Sequence, residues 1–170
     1  MPGTYEKIAT TTLGSNQTDI TLSSIPATYT DLVLTFQYAS QLNDYNAYMR
    51  FNSDTNSNYS RTYANGSPSG TTSARNSNST YIYFTPNIGA GTSLNTPGLL
   101  IANVFNYSNT TTYKTVTVRD NATRNDGAQQ SMMVAGLWRS TSAITSVTVG
   151  TNSGYLVSGT SITIYGIKAA

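Results

Sequence analysis

The sequence predicts an all-β protein, an antiparallel β-sandwich of the jelly-roll type, folded as a single domain over residues 1–170. Hydrophobic and polar residues alternate with a period of two along most of the chain, which is typical of strands with one buried face. Turn-forming residues separate these runs at short intervals, and no stretch shows helical periodicity beyond one turn. The hydrophobic fraction is 38% and the charged fraction 9%, a composition that indicates a folded domain rather than a disordered chain.

The alternation is clearest where Leu32, Leu34, Phe36 and Tyr38 occupy every second position of residues 31–38. A strand with one buried face follows from that pattern. We expect further strands at residues 4–12, 19–23, 45–52, 59–64, 80–85, 99–105, 115–119, 132–138, 143–149 and 161–164. Frequent short strands of this kind, about ten in all, favour a sandwich or jelly roll.

Turn-forming residues and one long polar stretch separate the predicted strands. Asn65-Gly66 and Asp126-Gly127 predict tight turns, because both pairs accept the positive φ that such turns require. Residues 52–79 form a long stretch rich in Ser, Asn and Thr, in which we expect at most one strand.

Two segments break the alternation, since residues 99–105 and 132–138 are apolar on both strand faces. In a two-layer sandwich one face of each sheet meets water, so a second apolar face is explained by contact with another subunit. We therefore expect a homo-oligomer, a dimer or a trimer. Its predicted interface is Leu100, Ala102, Val104, Met133, Ala135 and Leu137.

The composition argues against catalysis. The chain has no His and no Cys, which removes the general base of Ser-His-Asp sites and the usual ligands of transition metals. Its few carboxyl groups are expected in turns and on the polar faces of strands. We therefore predict no enzyme activity, no catalytic residue and no cofactor. A glycan-cleaving pair of Asp residues is the enzymatic alternative, and it requires two carboxyls within about 5–10 Å.

A calcium site is a second alternative that the sequence raises. Residues 54–58 match the first half of a calcium-binding loop, with Asp54, Asn56 and Asn58 at alternate positions. The glycine and the closing glutamate of such a loop are missing. The prediction is therefore that no metal binds.

The net charge of +2 is spread along the chain without a basic run, so we expect no nucleic-acid partner. No apolar stretch has the length of about 20 residues that a membrane-spanning helix needs, and we expect no membrane contact. Tyrosines cluster between residues 38 and 63 among Asn, Ser and two arginines, a mixture suited to a protein partner or a sugar. The predicted contacts are Tyr45, Tyr48, Arg50, Tyr59, Arg61 and Tyr63; the alternative is that they are ordinary strand and turn residues.

Four segments carry a resemblance to a known group. They are YEKIATTTLG at residues 5–14, SSIPATYTDLVL at 23–34, MRFNSDTNSNYSRTY at 49–63 and SITIYGIKAA at 161–170. In these segments the chain resembles small β-rich virion surface proteins of tailed bacteriophages, especially phages of cyanobacteria and other marine hosts. Proteins of that group are head-decoration (cement) proteins or modules of tail fibres, and the 23–34 segment is the most distinctive part.

The resemblance implies a non-enzymatic virion structural protein, assembled in the bacterial host cytoplasm and located on the virion surface. A capsid decoration protein, which binds the outside of the head and stabilises contacts between major capsid protein subunits, fits best. A tail fibre needs a shaft, and this chain has neither heptads nor a fibrous repeat. Residues 1–7 and the polar loops are expected to reach the capsid. The alternative is a tail-fibre or receptor-binding module that recognises host surface polysaccharide.

Overall fold

The computed structural model describes residues 4–41, 46–84, 94, 96–123 and 129–168, which form twelve strands in two antiparallel sheets. The strands are β1 (Tyr5–Thr12), β2 (Asp19–Leu22), β3 (Asp31–Tyr38), β4 (Ala47–Phe51), β5 (Tyr59–Ser67), β6 (Gly70–Ser79), β7 (Ile82–Tyr83), β8 (Gly98–Phe105), β9 (Lys114–Thr123), β10 (Gln129–Trp138), β11 (Val147–Thr151) and β12 (Ser161–Ile167). The large sheet has the order β1-β12-β3-β8-β9-β10-β5-β6, and the small sheet has the order β2-β11-β4-β7.

The strand pairing is nested. β1 pairs with β12, β2 with β11, β3 with β8 and β4 with β7, and successive pairs lie alternately in the large and the small sheet. This is the connectivity of an eight-stranded jelly roll, so the predicted all-β jelly-roll sandwich is confirmed. The remaining strands β5, β6, β9 and β10 all join the large sheet and extend it beyond β8.

Both sheets contribute side chains to one core. The predicted alternation of β3 is confirmed, because Leu32, Leu34, Phe36 and Tyr38 are all buried. At the other end of the core, Trp138 of the large sheet stacks on Tyr59 with ring centroids 6.2 Å apart and contacts Phe51 of the small sheet at 5.6 Å. Aromatic contacts of this kind add to the burial of their large apolar surface.

The small sheet ends over β10 and β5. Its edge strand β7 brings Ile82 onto Gly136 of β10, where an added Cβ would lie 2.8 Å from the Ile82 Cδ1 atom. Tyr83 of the same strand contacts Arg61 of β5, and the described strands of the small sheet extend no further across the large one. Residues 70–78 of β6 are consequently exposed throughout.

Two expectations for the polar stretch 52–79 are wrong. It contains two strands rather than one at most, and β5 runs straight through Asn65-Gly66 to a turn at residues 68–69, after which Gly70 has a φ of 138°. The edge strand β6 has no buried face, so it needs no apolar alternation and gave no signal. The predicted turn at residues 126–127 lies outside the described residues. No helix of the described residues is long and apolar enough to cross a membrane.

Candidate functional site

Two tyrosines and an arginine form a stacked group on the outer face of the small sheet. Along β4, Ala47, Met49 and Phe51 face the core, so Tyr48 and Arg50 face outward. The Tyr48 ring stacks on Tyr81 at 4.9 Å between centroids, and the Arg50 guanidinium carbon lies 5.2 Å from the Tyr48 ring and 5.6 Å from that of Tyr81. The Arg50 Nε also donates to the carbonyl of Thr80 at 3.2 Å.

The stack continues onto the edge of the small sheet. The ring of Tyr81 packs edge-on against that of Tyr83 at 4.2 Å, and their hydroxyl groups are hydrogen-bonded. Burial, followed by the hydrogen bond between its hydroxyl and that of Tyr81, raises the pKa of Tyr83 well above its ordinary value. This tyrosine therefore stays neutral at physiological pH.

Arg61 and Tyr63 extend the group onto the inner face of β5, where the small sheet no longer covers it. The Arg61 guanidinium lies between two rings, 4.6 Å from Tyr63 and 5.2 Å from Tyr83. Its Nε donates to the Asn76 side-chain oxygen at 3.0 Å, and Nη1 donates to the Tyr83 carbonyl at 2.7 Å. The result is one continuous series of side-chain contacts, the Tyr–Arg row, comprising Tyr48, Arg50, Tyr81, Tyr83, Arg61 and Tyr63.

The structure therefore brings together four of the six predicted contacts: Tyr48, Arg50, Arg61 and Tyr63. Tyr59 is a correction, because it is fully buried and its hydroxyl donates to the Phe51 carbonyl at 3.2 Å. Tyr45 lies outside the described residues. Sequence reasoning missed Tyr81 and Tyr83, although their spacing of two around the apolar Ile82 was a signal that both rings share one face.

A second surface is the outer face of the large sheet. Its central strands carry aliphatic and aromatic side chains outward, with Leu99 56%, Ile101 41%, Phe105 37% and Met133 63% exposed. The two-sided apolar character predicted for residues 99–105 and 132–138 is thus present. β9 lies between these two strands and places Thr115, Thr117, Arg119 and Asn121 outward.

The predicted interface residues divide between the two faces. Leu100, Ala102 and Val104 are buried in the core of the chain itself, so they cannot contact another subunit, and that part of the prediction is wrong. The outward residues of β8 are Leu99, Ile101 and Phe105 instead. Met133 and Ala135 are exposed and Leu137 is half-buried, and all three face outward as the interface requires.

A shallow depression of about 660 Å³ lies on this outer face. Outward side chains of β5, β9 and β10 line it, including Thr62, Ala64, Thr117, Arg119, Met133 and Ala135. Arg119 is the one charged side chain among the outward residues of β8, β9 and β10. Depletion of charge together with exposed apolar groups is typical of the centre of a subunit interface.

Asp54, the first residue of the calcium-like motif, is occupied by hydrogen bonds from the chain. Its Oδ1 accepts from the backbone and side-chain nitrogens of Asn56 at 2.9 and 2.8 Å. Its Oδ2 accepts from Asn58 at 2.9 Å and from the Trp138 indole at 2.7 Å. Burial raises the pKa of Asp54, but these hydrogen bonds outweigh it and the pKa lies below its ordinary value. Within the described residues no three His, Cys, Asp or Glu side chains form a metal-binding group.

Asp120 is a carboxyl group that follows the predicted strand 115–119 and belongs to β9 in the structure. It lies on the inner face of β9, where it is 4% exposed, and the Tyr38 hydroxyl donates to both of its oxygens at 3.0 Å. Burial raises the pKa of Asp120 to about 8, because an ionised carboxylate loses its hydration there. At neutral pH this group is therefore mostly protonated.

The comparisons with known proteins leave the family open. No protein-family model matches the chain, and no curated protein matches it. Among solved structures, the chain is similar to a crystal structure of a protein of unknown function from Shewanella oneidensis MR-1, at 9% identity and a TM-score of 0.22. The similarity covers 99% of this chain and 77% of the other.

Proposed function

We propose that the chain is a non-enzymatic structural protein of a tailed-bacteriophage virion, a head-decoration protein that binds the major capsid protein from outside as a homo-oligomer. The observation that carries this proposal is the outer face of the large sheet, where β8 and β10 expose apolar side chains that the described part of the chain leaves uncovered. A second copy of the chain is the occupant, because the face is nearly free of charge and mixes apolar groups with Thr and Asn, as subunit interfaces do.

The size of this face supports the same occupant. The strands β3, β8, β9, β10 and β5 are adjacent and have eight to ten residues each. From the standard strand spacing and rise, they span roughly 24 Å by 26–33 Å. That area is close to the roughly 800 Å² which each partner buries in a stable interface.

The fold supports the assignment by analogy. Jelly rolls occur in viral capsid proteins and in lectins, and the sequence segments described above resemble phage surface proteins. An analogy of fold does not fix a function by itself. The proposal therefore depends on tests of association and of capsid binding.

The association is tested with the double variant Ile101→Lys/Met133→Lys, examined by light scattering after size-exclusion chromatography. We expect the wild-type chain to be a dimer or trimer and the variant to be a monomer, because two lysines place uncompensated charge inside the interface. Thr12→Lys is the matched control, since Thr12 is exposed on β1, at the far edge of the large sheet. A wild-type chain that stays monomeric at all concentrations would contradict the proposed interface.

The location is tested with phage particles. Capsids assembled without the protein should bind the purified chain and then resist heating better than undecorated capsids. Imaging of intact virions should show hundreds of copies on the head rather than a few on the tail. Absence of capsid binding, together with equal heat resistance, would contradict the decoration role.

A second candidate function is recognition of host surface polysaccharide, and the Tyr–Arg row is the specific observation that favours it. Tyrosine rings stack on the apolar faces of sugars while their hydroxyls bond to sugar hydroxyls. We expect binding to extracted host polysaccharide, weakened about threefold to tenfold by Tyr81→Ala through the lost stacking. Tyr113→Ala is the control, because Tyr113 is 53% exposed and belongs to a loop before β9. Equal binding by both variants and the wild type would exclude this row.

A further inference from the structure

Arg61 is a nearly buried cation that has no carboxylate partner among the described residues. Its side chain is 9% exposed, and the two hydrogen-bond acceptors that it uses, the Asn76 amide oxygen and the Tyr83 carbonyl, are both neutral. Burial lowers the pKa of the Arg61 guanidinium, and no carboxylate among the described residues counteracts this. Removing an ion from water without an opposite charge is costly unless something else compensates it.

Arg61 also retains donors that the protein does not use. A guanidinium has five N–H groups, and Nε and Nη1 each donate one of them to the neighbours named above. Nη2 donates to none of the described residues, and it is not among their fully enclosed atoms without a partner. The terminal edge of the guanidinium therefore lies beside the Tyr63 and Tyr83 rings with N–H groups that no described residue accepts.

This arrangement restricts the motion of the guanidinium. Two rings hold its plane and two hydrogen bonds hold its position, so little side-chain entropy remains to be lost on binding a ligand. A terminal guanidinium edge fits a carboxylate through two parallel N–H···O bonds. Tyr83 and Tyr81 continue the row as half-buried rings, and Tyr48, which is 8% exposed, stacks on Tyr81.

The second cation of the row adds to the preference for an anion. The Arg50 guanidinium lies over the Tyr48 and Tyr81 rings and donates only to the Thr80 carbonyl among the described residues. Asp19, a nearby carboxylate, raises the pKa of Tyr48, after burial as the larger cause. Asp19 lies opposite Gly150 of β11, which in turn lies opposite Tyr48 of β4, so this carboxylate flanks the Tyr48 end of the row and makes no described ion pair with either arginine.

We propose that the Tyr–Arg row binds acidic polysaccharide, with the Arg61 guanidinium holding the carboxylate of a uronic-acid residue and the neighbouring tyrosines stacking on the sugar chain. This inference rests on the proposed glycan-binding role and specifies its ligand class. It does not depend on the decoration role.

The test compares two forms of one ligand by isothermal titration calorimetry. Oligogalacturonate is the acidic probe, and the same oligomer with its carboxyls methyl-esterified is the neutral probe. We expect the acidic form to bind at least about tenfold more tightly than the ester, since a charge-assisted pair is lost in the ester. Arg61→Gln should abolish this preference, whereas Arg75→Gln should keep it, because Arg75 lies exposed on the outer face of β6.

A second variant covers the case in which Arg61→Gln fails to fold. Asn76→Asp is isosteric and places a carboxylate 3.0 Å from Nε, where the amide oxygen now accepts. It supplies an internal counter-ion and should reduce the preference for the acidic probe to near that of the ester. Retention of the full preference by Asn76→Asp would contradict the role of Arg61.

The outcomes separate the inference from the function on which it rests. If the acid and the ester bind equally well, the carboxylate assignment is wrong and the glycan-binding role stands. If neither form binds, and host polysaccharide does not bind either, both are wrong. If the acidic form binds with the same affinity to wild type and Arg61→Gln, the anion binds elsewhere and the inference is overturned.

Discussion

The large sheet and the small sheet present different side chains to solvent, although they cover the same core. The outward residues of β8 and β10 are mostly aliphatic, and the strand between them carries threonine, asparagine and a single arginine. The outer face and edge of the small sheet instead carry stacked tyrosines with Arg50, and the row continues to Arg61. A broad face with little charge suits another protein surface, whereas a narrow aromatic row with two cations suits a small acidic ligand.

The difference follows from the unequal widths of the two sheets. The small sheet ends with a strand of two residues, β7, while the large sheet continues through β5 and β6. The inner face of β5 changes at that boundary from Tyr59, which is fully buried, through Arg61, which is 9% exposed, to the half-buried Tyr63. The Tyr–Arg row therefore forms where the small sheet ends above the wider large sheet. The apolar outer face is a consequence of the strands that widen the large sheet, β5, β6, β9 and β10.

The largest expected effect on stability comes from the buried aromatic cluster of Trp138, Tyr59 and Phe51, which supports both surfaces. Trp138→Ala should lower the free energy of unfolding by about 3–5 kcal/mol, because it leaves a cavity between the sheets. Self-association and sugar binding should then decline together on warming. Far-UV circular dichroism in a guanidinium titration measures the loss.

Trp138→Phe is the matched control for this prediction. It keeps a ring in the core and loses the 2.7 Å hydrogen bond to Asp54, so a loss of about 1–2 kcal/mol is expected. If Trp138→Ala removed one binding activity at a temperature where the other stayed intact, the two surfaces would not share this support.

The second prediction concerns pH and distinguishes the core of the large sheet from both surfaces. The pKa of Asp120 is raised from 3.8 to about 8 in the folded chain, so the folded state keeps a proton that the unfolded chain releases between these values. The free energy of unfolding should therefore fall as pH rises from 4 to 8 and then level off. The slope is at most about 1.4 kcal/mol per pH unit.

Asp120→Asn tests this assignment, because its side chain is uncharged at every pH and its oxygen can still accept from Tyr38. At pH 8 we expect it to be more stable than the wild type by about 2–4 kcal/mol, and at pH 4 to be about equal. Asp54→Asn is a control with the opposite pH dependence. The lowered pKa of Asp54 stabilises the folded state above pH 4, and that contribution disappears as pH falls. A wild-type stability that does not change between pH 4 and 8 would disprove a buried, protonated Asp120.

The third prediction separates the two surfaces by their response to salt. Binding of the acidic oligosaccharide to the Tyr–Arg row should weaken roughly threefold to tenfold between 50 and 500 mM NaCl, because salt screens a partly exposed ion pair. Self-association through apolar side chains should stay constant over the same range, since apolar burial involves no charge pair. Calorimetry and light scattering on the same samples measure both. Parallel weakening would indicate that the outer face of the large sheet also depends on charge.

The smallest expected effect concerns the orientation of one side chain. Asn76→Ala removes the hydrogen bond to Nε of Arg61, so binding of the acidic probe should weaken about twofold to fivefold through the lost orientation. The oligomeric state should not change, because Asn76 pairs with Arg61 across β5 and β6 on the inner face. Unchanged affinity for the acidic probe would show that Nη1 and the two rings suffice to hold Arg61.

Much of the fold was predictable because alternation reports directly on strands with one buried face. Residues 31–38 gave β3 with its buried face assigned correctly. β6 was not predictable in this way, since this edge strand without a covering sheet consists mostly of Ser, Thr and Asn and carries no period. A polar composition that is typical of a loop is therefore also compatible with a strand that no second sheet covers.

The surfaces were predictable only in part, for a geometric reason. The period of two places Leu100, Ala102 and Val104 on the same face of β8. Where both faces of a strand are apolar, however, this period does not tell which face is buried. The same limit applies to the Tyr–Arg row, because the contact between Arg61 and Tyr83 depends on how two sheets are aligned. Asp120 was not predicted to be buried, because the expected strand ended at Arg119, although the period of two continues from Val116 and Val118 to Asp120.

The nested strand pairing has a consequence for biosynthesis. Tyr5 of β1 lies opposite Ile167 of β12, and β12 also separates β1 from β3 in the large sheet. The ribosome must therefore release residues 161–167 before the first strand finds its neighbour, and contacts of such long sequence separation form slowly. During translation the early strands have unpaired edges until the last strand has left the ribosome. A chaperone that binds these edges until then should raise the yield of folded protein more than a change in growth temperature.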